Sequence, residues 1–183
     1  MRPVHVTTRL PVGPDEAWLL LADARNHARW IPLTTVTADG PPASGVRVRA
    51  VSGPRVAGRR WGLVDRMTIV RAQPPSAGHP GVATFRKDGP VLLGSAQIAV
   101  RAAGAAGPGG VARVDAPSSC LVRWTETVHV RGPLPRVTHA LLAVPIRAMV
   151  HLALRSVRRD LAQRIATESR DHATNRTQVR NGT

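Results

Sequence analysis

Glu126 is the residue whose position most needs a chemical explanation. Residues 120 to 130 alternate as a strand does, and Val122, Trp124, Val128 and Val130 share one face with Glu126, while Arg123, Thr125, Thr127 and His129 share the other. A carboxylate is therefore expected on an apolar face, beside an indole. Unpaired burial opposes its ionisation, so such a group rises in pKa or recruits a cation. Three roles are open to it. It can form a structural ion pair or hydrogen bond, with Lys87 or an arginine of a neighbouring strand. It can anchor a ligand hydroxyl or amine, or it can act as a general acid or base. The structural role is the commonest fate of a buried carboxylate. Asp65 and Arg66 sit mid-strand on opposite faces, so whichever points inward adds a second polar group. Their plainer reading is one cross-strand salt bridge and one solvated side chain.

Other chemistries find little footing. His5, His27, His129, His139 and His151 lack metal-ligand spacing, and His79 and His172 fall in a loop and in the tail, so no metal is expected. The glycine-rich run at 103–110, AGAAGPGG, lacks the Lys-Ser/Thr of a phosphate loop and reads as a flexible loop. With no dinucleotide fingerprint either, no cofactor is expected. Cys120 is the single cysteine, which excludes an internal disulfide and suits a reducing compartment or indifference to redox state, cytoplasm being the simplest reading. The formal charge is +15, and 25 of the 26 basic residues are arginine, Lys87 being the exception. Coding bias in a GC-rich genome accounts for the choice of arginine but not for only 11 acids, which leaves a general attraction to anionic partners. No zinc cluster, helix-turn-helix or interleaved aromatic and basic strand accompanies the charge, so specific nucleic-acid binding is not expected. The N-terminus lacks a charged region followed by an apolar run. The most apolar stretch, 140–154, is interrupted by Arg147 and His151 and is too short to span a bilayer. A cytoplasmic protein without a transmembrane segment is expected.

The elements that must position these residues follow from periodicity. Val4 to Leu10 alternates as a strand. Pro14 suits a first helical position, Asp15 and Glu16 complement the helix dipole, and Trp18, Leu19 and Leu21-Ala22 are expected as a buried stripe. Asp23 caps a short helix at 24–29, and Pro32 ends it. Strands are expected at 33–38, 46–50 and 62–73, with a basic loop at 53–60. In the 62–73 strand the row Leu63, Asp65, Met67, Ile69 is favoured inward. A hairpin turns at Gly89-Pro90, with Phe85 on one arm and Ala96, Ile98 and Val100 on the other. From His139 a helical stripe runs Leu142, Ile146, Met149-Val150, Ala153-Leu154, Val157, Leu161 and Ile165. Pro145 either kinks this helix or begins it. The polar, aperiodic segment 169–183 is expected to be a disordered tail, leaving one domain over 1–168.

P-D-E-A-W at 14–18, followed by D-A-R-N-H-A-R-W-I-P at 23–32, resembles the opening of the START-related, pollen-allergen and polyketide-cyclase superfamily, often abbreviated SRPBCC. Asp65-Arg66-Met67, the Lys87-Asp88-Gly89-Pro90 turn with Gly94 beyond it, Trp124-Thr125-Glu126 and a long C-terminal helix continue the resemblance over about residues 1–168. It implies an α+β helix-grip fold, in which a curved antiparallel sheet of six to seven strands wraps the long helix and leaves a cavity. The cavity side chains implied are Trp30, Asp65, Met67, Phe85, Lys87 and Ala96, with Ile98, Trp124, Glu126, Met149 and Ala153 completing the set. Trp30 reads as a packing residue closing one end of the barrel, with ligand contact as its sharper reading. Relatives include lipid carriers, hormone receptors and cyclases, so the fold does not by itself name an activity. Binding or transport of a small hydrophobic, lipid-like or polyketide-like molecule is the favoured expectation. The rival is a cofactor-free polyketide cyclase or dehydratase with Glu126 as its candidate catalytic group. An enzyme needs several convergent polar groups, and here Glu126 has only Asp65, Lys87 and Trp30 for support. Arg147, His151, Arg155, Arg158 and Arg159 form the opposite stripe of the long helix. They suit weak electrostatic contact with an anionic membrane or an acidic partner. Because the helix's apolar side is expected to be committed to the core, electrostatics alone would hold such contact.

Overall fold

A computed structural model of the chain describes residues 1–103 and 119–181. The elements run β1 (Val4–Leu10), α1 (Pro14–Ala22), a short 3-10 helix (Ala24–Arg29), β2 (Thr34–Ala38), β3 (Arg47–Ser52), β4 (Arg55–Val56) and β5 (Arg59–Arg60). They continue through β6 (Leu63–Gln73), β7 (Gly81–Pro90), β8 (Leu92–Ala102), β9 (Cys120–Val130) and α2 (Pro135–Asn181). Seven strands form one antiparallel sheet in the order β1-β9-β8-β7-β6-β3-β2, and β4 pairs with β5 in a separate small hairpin. That hairpin occupies the stretch expected to be a loop. Its neck is narrow: a Cβ on Gly53 would strike the Trp61 carbonyl oxygen, and one on Gly62 the Ser52 carbonyl oxygen.

Alternation along the strands sets the two faces of the sheet. Outward positions are filled by exposed arginines such as Arg47, Arg49, Arg66, Arg86 and Arg123, and inward positions by Val48, Ile69, Phe85, Ile98, Val122 and Trp124. The row Leu63, Asp65, Met67, Ile69 does face inward, although β6 carries register shifts at Arg66/Met67 and at Ile69/Arg71. On the inward face α1 lies against β7 and β8, and α2 against β9 and β1. Pro14 opens α1, with Asp15 and Glu16 in its first turn, and Asp23 accepts from the Arg25 backbone N–H to cap the 3-10 helix. Ala17, Trp18, Leu21 and Ala22 of α1 are buried, whereas Leu19 is exposed. At 100° per residue it falls opposite the pair Ala17/Leu21, so its inclusion in the buried stripe is corrected.

Three expectations for α2 are corrected. It begins at Pro135 rather than His139, again with proline in the first turn, and Pro145 lies inside it. It remains helical to Asn181, because neither proline nor glycine interrupts the chain between 146 and 181, so the polar segment after 168 continues the helix. Val150, Ala153, Leu154, Val157 and Leu161 are buried, but Ile165 is exposed, so the packed stripe ends at Leu161. By length and composition Pro135–Thr167 could cross a membrane. With one face packed into the sheet, α2 is instead the core helix of the fold. The glycine-rich loop expected at 103–110 lies, from residue 104 on, outside the described residues.

Candidate functional site

Between the inward face of the sheet and the side of α2 lies a cavity of about 360 Å³. Its walls are predominantly apolar, with Val36, Phe85, Ala96, Val128, Ile146 and Met149 among them, and its polar groups cluster on adjacent strands. Lys87 on β7 stands opposite Met67 on β6 and Gly94 on β8, while Glu126 on β9 stands opposite Ala96 on β8. The strand between the lysine and the glutamate thus presents only Gly94 and Ala96, which leave room for the two side chains to approach across it. Gly94 is also required by the backbone. Its φ is +126°, and a Cβ there would strike the Thr127 carbonyl oxygen.

The lysine ammonium donates a short hydrogen bond to Asp65 Oδ2 and lies 3.8 Å from Glu126 Oε2 and 3.8 Å from Met67 Sδ. Trp124 Nε1–H donates to Glu126 Oε1 at 3.1 Å. The other Asp65 oxygen, Oδ1, is buried without a hydrogen-bond partner. Burial raises the Glu126 carboxyl above the ordinary carboxylate range, and the nearby Lys87 charge and the Trp124 hydrogen bond only partly offset this. Burial by itself would lower the Lys87 ammonium, but the Glu126 and Asp65 carboxylates outweigh it and hold the group above its usual value. Lys87 therefore stays charged, and Glu126 is the member of the cluster that can carry a proton. The structural and the functional readings of Glu126 meet here, since an ion-paired cluster is also a polar anchor inside an apolar chamber.

Of the side chains implied for the cavity, Asp65, Met67, Phe85, Lys87, Ala96, Trp124, Glu126 and Met149 line it. Trp30, Ile98 and Ala153 do not. All three are buried in the surrounding core, with Ile98 directly opposite Trp124 and Trp30 packed 6.3 Å, centroid to centroid, from His27. His27 is a cavity residue that the sequence reading passed over. It is buried, its Nε2–H donates to the Leu21 carbonyl at 2.8 Å, and its ring lies 5.1 Å from Trp124 and 6.2 Å from Phe85. Burial lowers its pKa, so the ring is neutral and its Nδ1 is left as an acceptor. The signal for it was the three-residue spacing of Ala24 and His27, which puts both on the buried side of a short helix. Thr34 and Ser52, cross-strand partners on β2 and β3, add a hydroxyl pair 2.8 Å apart.

The sequence profile of the family described as polyketide cyclase / dehydrase and lipid transport matches residues 1–162. The chain belongs to that family. Solved structures bear out the helix-grip architecture of this family member. A START superfamily protein from Mycobacterium smegmatis is similar at 14% identity and TM-score 0.59, over 87% of this chain and 98% of that one. The Zhui aromatase/cyclase from Streptomyces sp. R1128 is similar at 19% identity and TM-score 0.57, over 90% and 95%. A conserved protein from Geobacillus kaustophilus is similar at 12% identity and TM-score 0.57, over 88% and 96%. Likeness at these identities concerns the fold. No curated protein matches the sequence.

Proposed function

We propose that this member of the family binds and carries a small, largely apolar molecule, lipid-like or polyketide-like, in the cavity between sheet and helix. The observation that carries the reading is a chamber of about 360 Å³ whose walls are apolar except for one charged cluster and a few neutral polar groups. Such a chamber holds a hydrocarbon or aromatic body, while the cluster orients one polar end. Asp65 Oδ1, buried without a partner, suits a hydroxyl or amine donor on that end. A cytoplasmic setting accords with Cys120, whose thiol is buried and pushed up to about 11 by burial, and so is unreactive.

One feature favours the second reading, a cofactor-free cyclase or dehydratase. A carboxyl kept protonatable in an apolar chamber beside a fixed cation can protonate a carbonyl oxygen, and a relative by fold is named as an aromatase/cyclase. Native mass spectrometry of the purified protein, followed by solvent extraction, separates the two. A co-purifying apolar molecule, displaced when Ala96→Leu fills the chamber, is the expected result. Turnover of a poly-β-ketone substrate, abolished in Glu126→Gln, would replace the carrier reading with the enzymatic one.

A further inference from the structure

Among the described residues that line the cavity, only Leu63 and Pro145 are exposed, so the chamber opens between the start of β6 and α2. Both lips of this mouth continue as bare apolar surface. On the α2 side, Leu134, Val137, Leu141, Val144, Ala148 and Leu152 recur every three or four residues and are all exposed, Leu141 at 72% and Val144 at 76%. On the opposite side Trp61 and Leu33 are exposed. They flank the hairpin neck, where Gly53 N–H donates to the Leu33 carbonyl. The expectation that the apolar side of α2 is wholly committed to the core is therefore corrected: over its first half the helix has two apolar faces, one packed and one bare. A contiguous apolar surface of this kind marks an interaction site.

Charge indicates the partner. Arg136 and Arg147 flank the bare stripe and are exposed. The same face of the helix continues as Arg155, Arg158 and Arg159. Between 135 and 167 the helix carries a single acid, Asp160, which is already engaged by Arg29 and Arg164. A second copy of the chain would bring one arginine-framed face against another, each on a protein of formal charge +15. An anionic bilayer offers the complementary arrangement of apolar interior beneath negative headgroups. Trp61 supplies the amphipathic ring that favours that boundary.

We infer that the rim of the cavity mouth is a docking surface for an anionic lipid bilayer, with the bare stripe of α2 and Trp61 seated in the interface. The helix lies along the membrane rather than across it, because its other face is held in the core. The mouth then faces the lipid, and an apolar molecule can enter or leave without crossing water. The rim can dock in this way whatever the chamber holds.

The test uses the full chain with vesicles of equimolar phosphatidylglycerol and phosphatidylcholine, and with phosphatidylcholine alone, in co-sedimentation at about 0.02 M and about 0.3 M salt. Binding to the anionic vesicles is expected to exceed binding to the neutral ones, to weaken at the higher salt, and to blue-shift tryptophan emission, a shift lost in Trp61→Phe. Leu141→Gln with Val144→Gln, both exposed positions whose substitution spares the core, is expected to cut partitioning at least about tenfold. Arg155→Gln with Arg158→Gln and Arg159→Gln is expected to do the same at low salt. Failure to bind the anionic vesicles, or binding unchanged by the Leu141/Val144 pair, would overturn the proposal. So would a concentration-dependent dimer, seen by light scattering without lipid and dissolved by that same pair, since a second copy would then be the occupant.

Discussion

Removal of the Lys87 ammonium by Lys87→Met is the perturbation with the clearest arithmetic. The ammonium sits between two carboxylates, hydrogen-bonded to Asp65 and 3.8 Å from Glu126, and the side chains of Lys87 and Glu126 are only 7% and 5% exposed. Breaking a buried pair by deleting one partner costs roughly 3–5 kcal/mol, because the remaining charge is left without compensation. Here part of the cost can be escaped: Glu126 already has a raised pKa and takes up a proton once the cation is gone, leaving Asp65 as the stranded group. About 3 kcal/mol is therefore expected at pH 7, or roughly 6–12 °C in Tm for a chain of this size. Glu126→Gln behaves differently. It keeps an acceptor for the Trp124 indole and leaves Lys87 its hydrogen bond to Asp65, so the change is expected to stay within about 1 kcal/mol in either direction. Urea denaturation of the two variants and of Lys87→Met/Asp65→Asn measures all three terms, and the double variant is expected to recover about half of the loss. Equal destabilisation by Lys87→Met and Glu126→Gln, or no loss in Lys87→Met, would refute the assignment of Asp65 as the principal partner.

A raised Glu126 carboxyl has a definite sign in its pH dependence. Its folded pKa lies above its unfolded value of about 4.3, so its contribution to stability is fully present below that pH and is lost as pH rises through the folded pKa. The midpoint of the wild type minus that of Glu126→Gln should accordingly fall between acid and neutral pH, as urea melts at several pH values will read. Gly94→Ala forces β8 away from the Thr127 carbonyl and is expected to cost about 1–3 kcal/mol, with ligand uptake falling as β8 shifts beside Lys87 and Glu126. The His139 ring nitrogens lie 2.7 Å from the Val128 carbonyl and 2.8 Å from the Arg2 carbonyl, and a neutral ring donates to one of the two, holding α2 beside β9 and the N-terminal segment. His139→Phe is expected to cost about 2 kcal/mol and to speed amide exchange near Arg2. Lys87→Arg replaces a compact ammonium by a larger planar fork in a closed space, and is expected to lower both stability and ligand capacity rather than act as a conservative change.

Much of this arrangement was legible in the chain because alternation survives in the strands. Parity alone put Glu126 on the buried face, while in β6 both rows are mixed and the row of Asp65 and Met67 was only the favoured one until the structure turned it inward. What parity cannot do is measure depth. Ile98 and Ala153 share inward faces with cavity residues yet lie behind the wall, and Trp30 packs against His27 instead of reaching the chamber. Those distinctions depend on the curvature of the sheet and on where α2 stands above it. The second apolar stripe of α2 was missed for a related reason. Val150, Ala153, Leu154, Val157 and Leu161 suffice to explain a core helix, and Leu141, Val144 and Leu152 fall on the opposite side beside His151 and Arg155, whose charge marked that side as polar. The β4–β5 hairpin escaped notice because each of its strands is two residues long, too short for any period to appear.

In a chain where 25 of 26 cationic side chains are arginine, the one lysine lies inside the chamber. Among its side chains, amine chemistry therefore has a single address, the buried ε-amine of Lys87 at the centre of the site. Labelled lysine supplied during expression would then place a single isotopic reporter within reach of any occupant. Its side-chain resonances report directly on filling and emptying of the cavity, without a crystal and whatever the chemical identity of the occupant.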